Sequence, residues 1–457
     1  MNSDSFNNTT IVQPSEDFAR FIETHLEVVK SVRRAVTYDA LVLDARLRQS
    51  LVTIRSLGRQ RLYVAAAELS SLLQTSPYVP AFSSRYCQHS YITPTYERDK
   101  EAFSSYLRRF LEHTGARVLI ASSDGTLAVL RAHRAEFERY TRVALAKEEA
   151  LAVAANKKLT LEVAQRLDID VPRGIVIRSM DEVSPAIREI RLPAVVKPVE
   201  SWVWTNGDYN GRQGVRLLCQ LVTKRDEARK AIEELIQCAG SVLLQQFLPG
   251  RREAVSFLYA NGAMAARFAQ WTRRTQPPLG GTSVYRQSIA LPQDIAEQAE
   301  RLIREIELEG YSELEFRRDG YGNPYLMEIN PGLSASVEVA VRAGVDFPFM
   351  LYRWACGETL QPVEGYHTGR WMRYLEGDLL TTIQSLKQQG RPGVPSSLRA
   401  IAEFVAAFCI PADYDYLDWH DPLPARIAAL DFCHRVLHFP KQKQPARELW
   451  YANRPVQ

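Results

Sequence analysis

The chain has little of what usually identifies a function class. Its six cysteines, Cys87, Cys219, Cys238, Cys356, Cys409 and Cys433, include no Cys-x-x-Cys pair, so neither a thiolate zinc site nor a disulfide framework is expected. A reducing, cytoplasmic setting fits such a chain best. There is no run of about 20 apolar residues to span a membrane. The polar start (Asn2, Ser3, Asp4, Ser5) lacks the apolar core of a signal peptide. The net charge is only +4, without a long basic run, which argues against a dedicated nucleic-acid binder. No Gly-x-Gly-x-x-Gly follows the first expected strand, so the front of the chain is not a dinucleotide site by itself. His420, His434 and His438 lack metal-ligand spacing.

What is present is a globular composition, with 457 residues, enough for two to four domains of roughly 100–200 residues each. The most informative stretch runs from Gly310 to Ser336. Two alternating runs flank a turn rich in Asp, Gly, Asn and Pro, the pattern of a β-hairpin. In the first run Leu314 and Phe316 share one face and Glu313 and Glu315 the other. In the second, Met327 and Ile329 share a face opposite Glu328 and Asn330. A turn centred on Tyr321 and Gly322 sets Glu315 across from Glu328 and Glu313 across from Asn330. Directly opposed like charges destabilise a sheet. Two readings remain: a solvated face of a surface hairpin, or a carboxylate pair relieved by a divalent cation such as Mg2+, which prefers hard oxygen ligands.

Before the hairpin, Ala40–Asp44, Leu62–Ala66 and Arg117–Ala121 read as strands with helices between them, the second closed off from its helix by Gly58, which suggests a parallel sheet. Asp44 and Asp124 follow strand ends, where an Asp caps the next helix or faces a substrate. Residues 1–37 are polar, with an amphipathic helix expected through Phe18, Ile22 and Val29. One helix is expected from Leu145 to Ile169, with Leu159, Val163 and Leu167 recurring on it. Arg191–Pro198 is an apolar strand ending in Lys197, and a lysine there needs an anion or an exit to water. A loop with Gly207, Gly211 and Gly214 follows, able to approach a ligand closely. Ser241–Gly250 reads as a strand stopping at Pro-Gly. Arg286 stands near Gly280-Gly281 in an arginine-rich segment.

The sequence Glu-Phe at 315–316, then Met-Glu-Ile-Asn-Pro at 327–331, resembles the metal-binding end of the ATP-grasp superfamily, carboxylate–amine ligase type. The resemblance implies an α/β and α+β multidomain fold: a parallel-sheet pre-ATP-grasp domain followed by a two-part ATP-grasp fold. The corresponding boundaries are a polar N-terminal extension at 1–37, the front domain at 38–144, a lid with its linker helix at 145–245, a metal-binding part at 246–378 and a C-terminal extension at 379–457. It further implies that Glu315, Glu328 and Asn330 hold Mg2+ (or Mn2+) on ATP, and that Lys157 and Lys197 reach the triphosphate. The loop with Gly211 and Gly214 covers the phosphates. Gln245, Gln246 and Leu248 meet the adenine and Glu253 the ribose, while Arg286 and Asn330 act on the transferring group. Three departures stand out: Asn156 for the common Asp, Gln for Glu at the hinge, and Gly332 for an Arg that commonly holds an anionic substrate or the transferring phosphate. The implied activity joins a small carboxylate to a small amine through an acyl phosphate, with no nucleic-acid or membrane partner. A carbamoyl-phosphate-type or kinase-like enzyme and a non-catalytic nucleotide module are the alternatives.

Overall fold

The computed structural model describes residues 37–73, 75–205, 213–391 and 393–438. The helix expected through Phe18, Ile22 and Val29, together with Gly207 and Gly211, lies outside the described residues. Among the described residues no helix is long and apolar enough to cross a membrane.

The front sheet contains β1 (Ala40–Val42), β2 (Val64–Leu69), β3 (His89–Thr93), β4 (Val118–Ile120) and β5 (Arg142–Val143), in the order β3-β2-β1-β4-β5. All pairs are parallel. β1 and β4 are buried along their whole length, as expected for strands covered by crossover helices on both faces. The strand order reverses between β1 and β4, and the crevice beyond their carboxyl ends is where such sheets bind ligands. Asp44, just past β1, does not cap the helix that follows it. Its carboxylate accepts from the backbone N–H of Ser122 and Ser123, both at 2.9 Å, and from Thr126 Oγ1 at 2.6 Å, tying β1 to the loop after β4. Gly58 does not end its helix, which runs Arg48–Arg59. It makes room for Tyr86, whose side chain would lie 2.5 Å from any Cβ there.

The expected single helix at 145–169 is two helices, Glu148–Ala155 and Lys157–Arg166, and Leu159 is exposed. They break at Asn156, whose side chain accepts from Leu159 N and caps the second.

The part expected as a lid holds an antiparallel sheet of β6 (Gly174–Ile177), β7 (Ala194–Pro198), β10 (Gln220–Val222) and β11 (Val242–Gln246), in the order β10-β7-β11-β6, with a ribbon of β8 (Trp202–Trp204) and β9 (Gly214–Arg216). Alternation divides its two faces. Ala194, Val196, Val242 and Leu244 pack with residues of the helices Val183–Ile190 and Arg225–Ala239. Val195, Lys197, Leu243 and Gln245 take the other face, since Leu243 pairs with Lys197 and Gln245 with Val195.

The third sheet contains β12 (Arg252–Ala260), β13 (Ala263–Gln276), β14 (Thr282–Ile289), β15 (Gly310–Arg318), β16 (Pro324–Asn330), β17 (Trp371–Arg373) and β18 (Ala412–Tyr414), in the order β16-β15-β12-β13-β14-β17-β18. Neighbours are antiparallel except β17 and β18. One face packs Val255, Phe257, Leu314 and Phe316 against Ile295, Ala299 and Leu302 of the helix Gln293–Glu305. Burying side chains such as Phe316 and Leu326, each 0 % exposed, contributes about 1.5–3 kcal/mol apiece. The segment beyond 378, expected as a C-terminal extension, supplies β18 to this sheet and is joined to it by the buried ion pair of Arg286 and Asp415.

Candidate active site

The expected register of the hairpin is observed: Glu315 pairs with Glu328, Leu314 with Ile329 and Glu313 with Asn330. The turn side differs. A bulge between these pairs and Phe316–Leu326 shifts the register. Leu326, not Met327, therefore joins Ile329 in the core, and Met327 lines a cleft.

That cleft, of about 480 Å³, lies between the lid face of β7 and the hairpin face of the third sheet, and reaches the helix Asp124–Ala132 of the front domain. A larger hollow of about 880 Å³ runs along the charged helix Gln293–Glu305; none of the residues with leftover bonding capacity described below lines it.

Lys157 begins the second linker helix, fixed by its own N–H to Val199 O at 2.9 Å. Its Nζ lies 3.0 Å from Ser201 Oγ and 3.7 Å from Glu328 Oε2. Burial alone would raise the Glu328 carboxyl, but Lys157 and then Lys197 outweigh it and hold it below the usual range. Glu315 goes the other way: burial raises it, and Arg252, its ion-pair partner, only partly offsets this. Asn330 Nδ2 donates to Glu315 Oε1 at 3.5 Å.

Two groups on the lid face have bonding capacity to spare. Lys197 is 5 % exposed, makes no ion pair among the described residues, and burial pulls its ammonium below the usual lysine range. Gln245 is fully buried, and neither its Oε1 nor its Nε2 has a partner. Unsatisfied buried polar groups are costly, and a phosphate oxygen and a nucleobase edge would satisfy them. Among the described residues no three His, Cys, Asp or Glu side chains form a ready metal cage. Two carboxylates and an amide, completed by phosphate oxygens and water, suit Mg2+ better than a dedicated cage. The residues present therefore fit Mg2+ and ATP.

Gln246 and Leu248 line the cleft, although Gln246 Oε1 also accepts from Arg173 Nε at 3.4 Å and Leu248 O from Arg317 Nη1 at 3.1 Å. Four expected residues do not line it: Gln245, which is fully buried, and Arg286, Glu253 and Gly214. Arg286 is 0 % exposed and donates to both oxygens of Asp415, at 3.0 and 2.5 Å; the C-terminal segment covers it, so it does not face a reacting phosphate. Glu253 pairs with Phe316 across the ladder, on the face away from Glu315, and is engaged by Arg251 and Arg318. It is in no position to meet a ribose in the cleft. Gly214 is required by packing, since a Cβ there would lie 2.3 Å from the Trp202 ring, and it does not line the cleft.

Several lining residues escaped the sequence reading. Arg317 continues the two-residue alternation of Glu313 and Glu315, and Arg252 lies directly across from it; extending the alternation one step would have found the first. Burial and the neighbouring Arg252 lower the Arg317 guanidinium to about 10. Ser201 and Arg216 also line the cleft; Asp124, the strand-end residue singled out in the sequence, lines it too and pairs with Arg216 at 3.2 Å.

Residues 239–377 match the family model described as "ATP-grasp in the biosynthetic pathway with Ter operon". A D-alanine–D-alanine ligase of Desulforamulus reducens is 28 % identical over 225 residues, covering 44 % of this chain and 67 % of that protein. Among solved structures, the biotin carboxylase of Campylobacter jejuni aligns with a TM-score of 0.57 at 14 % identity, over 73 % of this chain and 74 % of that one. The N5-carboxyaminoimidazole synthetase of Staphylococcus aureus aligns at 0.55 and 14 %, over 78 % and 88 %. The L-amino acid ligase of Bacillus licheniformis aligns at 0.53 and 16 %, over 73 % and 79 %. At these identities the structural likeness concerns the fold.

Proposed function

We propose that this chain, whose residues 239–377 match an ATP-grasp family model, is an ADP-forming ligase that activates a small carboxylate as an acyl phosphate and passes it to an amine. The observation that carries this reading is the opposition, across one cleft, of the Glu315–Glu328 pair to a buried Lys197 that makes no ion pair among the described residues. Glu315, Glu328 and Asn330 would hold Mg2+, which neutralises charge on the phosphate oxygens of ATP. Lys157 and Lys197 orient the triphosphate, and Gln245, Gln246 and Leu248 receive the adenine. Such chemistry needs alignment and charge compensation more than covalent help from the protein. Arg131 and Arg216 line the cleft beside the front domain; paired with Glu148 and Asp124, they would have to exchange those partners to hold a substrate carboxylate. The six free cysteines suit a reducing cytoplasm.

The test is ADP release measured with pooled carboxylates alone, pooled amines alone, and both together. Release only with both supports the ligase. ADP formed from bicarbonate alone would point to carbamoyl-phosphate-type chemistry, and nucleotide binding without release under any condition would reject an enzyme.

A further inference from the structure

One cleft carboxylate has no part in the chemistry above. Glu313 precedes Glu315 by two residues on the same face of β15, is 4 % exposed and lines the cleft. Its Oε2 accepts from Gln270 Nε2 at 2.8 Å, Ser334 Oγ at 3.0 Å, Ser336 Oγ at 3.2 Å and Ser256 Oγ at 3.3 Å. All four donors are neutral. They fix the carboxylate without cancelling its charge, and a buried charge calls for a counter-charge. Glu315 has Arg252 and Glu328 has Lys157, whereas Glu313 has no ion pair among the described residues. Gln270 sharpens the imbalance: its Nε2 serves Glu313 and Ser336, while its buried Oε1 has no donor. The segment from Gly332 to Ser336 brings hydroxyls to this end of the cleft but no cation. Glu313 is not one of three acids grouped to hold a metal.

We propose that Glu313 determines acceptor specificity by binding a protonated amino group of the amine substrate. This rests on the ligase reading. A nitrogen held there as ammonium has no lone pair and does not attack, so the acceptor carries a second, reacting amino group and is of the diamine class. That free amino group forms the C–N bond to the acyl carbon. The acyl C–O bond breaks, its electrons leave with inorganic phosphate, and the nitrogen's surplus proton passes to solvent. Glu313 holds the distant ammonium and exchanges no proton.

Isothermal titration of the full chain loaded with Mg2+ and a non-hydrolysable ATP analogue tests this, with 1,4-diaminobutane and glutamate as probes. The diamine is expected to bind and glutamate not. Glu313→Gln should weaken the diamine by about 30-fold, the worth of a charge-assisted hydrogen bond, while affinity for the magnesium–nucleotide stays unchanged. Ser334→Ala, which removes one donor and keeps the fold, should weaken the diamine by about threefold; this variant decides the matter if Glu313→Gln does not fold. Equal diamine affinity in wild type and variants overturns the proposal, as does a parallel loss of magnesium–nucleotide affinity in Glu313→Gln, which would make Glu313 a metal ligand. Wild-type protein that binds nucleotide but no diamine removes only this subsite. Protein that binds no nucleotide removes the ligase reading itself.

Discussion

At the C-terminal clamp Arg286 donates two hydrogen bonds to Asp415, whereas in the cleft Lys197 meets no carboxylate in an ion pair among the described residues. The clamp is built throughout in the first manner. Arg55 Nε lies 2.9 Å from Asp421 Oδ2 and donates to two backbone carbonyls, and Arg373 and Arg274 share the two oxygens of Asp378. The cleft is built in the second: Lys197 and Glu313, which line it, meet no opposite charge in an ion pair among the described residues. Both places bury charge. What separates them is the counter-charge: each clamp arginine already meets a carboxylate, even though single N–H groups of Arg55, Arg286 and Arg373 have no acceptor among the described residues, and an ion so paired has little to offer a charged ligand.

Substitutions should separate the two regions. Glu328→Ala is expected to cut ADP formation by roughly 10³-fold or more, since on the proposed reading it removes a carboxylate that would hold the metal; a variant with wild-type turnover would break the comparison. Lys197→Met should lower kcat/KM by about 10²-fold, and thermal melting should show it at least as stable as wild type, because an unpaired buried ammonium is lost. Arg286→Met should do the reverse. Stability falls by about 3–5 kcal/mol, since Asp415 stays buried without its main partner, while kcat measured below the new melting temperature is retained. A large loss of kcat in the folded variant would return Arg286 to the chemistry.

The clamp should also show in acid. Although burial opposes it, Arg286 and then Arg48 hold the Asp415 carboxyl below its usual range. A depressed folded value means stability that is fully present above the unfolded value of about 3.9 and is lost as pH falls through the folded one. Melting temperatures from pH 5 downward should therefore drop more steeply in wild type than in Asp415→Asn. The smallest effect is expected for Glu253→Gln: about 1 kcal/mol of stability from weakened contacts to Arg251 and Arg318, with nucleotide affinity unchanged in a fluorescence titration.

Much of the cleft was legible because its parts are local. Alternation within β15 and β16 is enough to pair Glu315 with Glu328, and a lysine at the end of an apolar strand needs no distant information. The errors have distant causes. Arg286 is closed off by a residue 129 positions later, which no spacing rule connects to it. The face taken by Glu253 depends on the register of β12 against β15. Gly214 reads as a loop glycine until Trp202 is folded over it. The last segment carries no motif because its role is to pair charges and to add one strand, β18.

The bulge at Met327 has a further consequence. It is a splice between two independent lengths of chain: everything on its Asn330 side keeps the carboxylates facing each other, and everything on its Pro324 side serves only to turn round. Relatives could lengthen or shorten that tip without disturbing the carboxylate pair, and excising Met327 alone would remove the bulge while leaving Glu315 opposite Glu328 and Phe316 opposite Leu326.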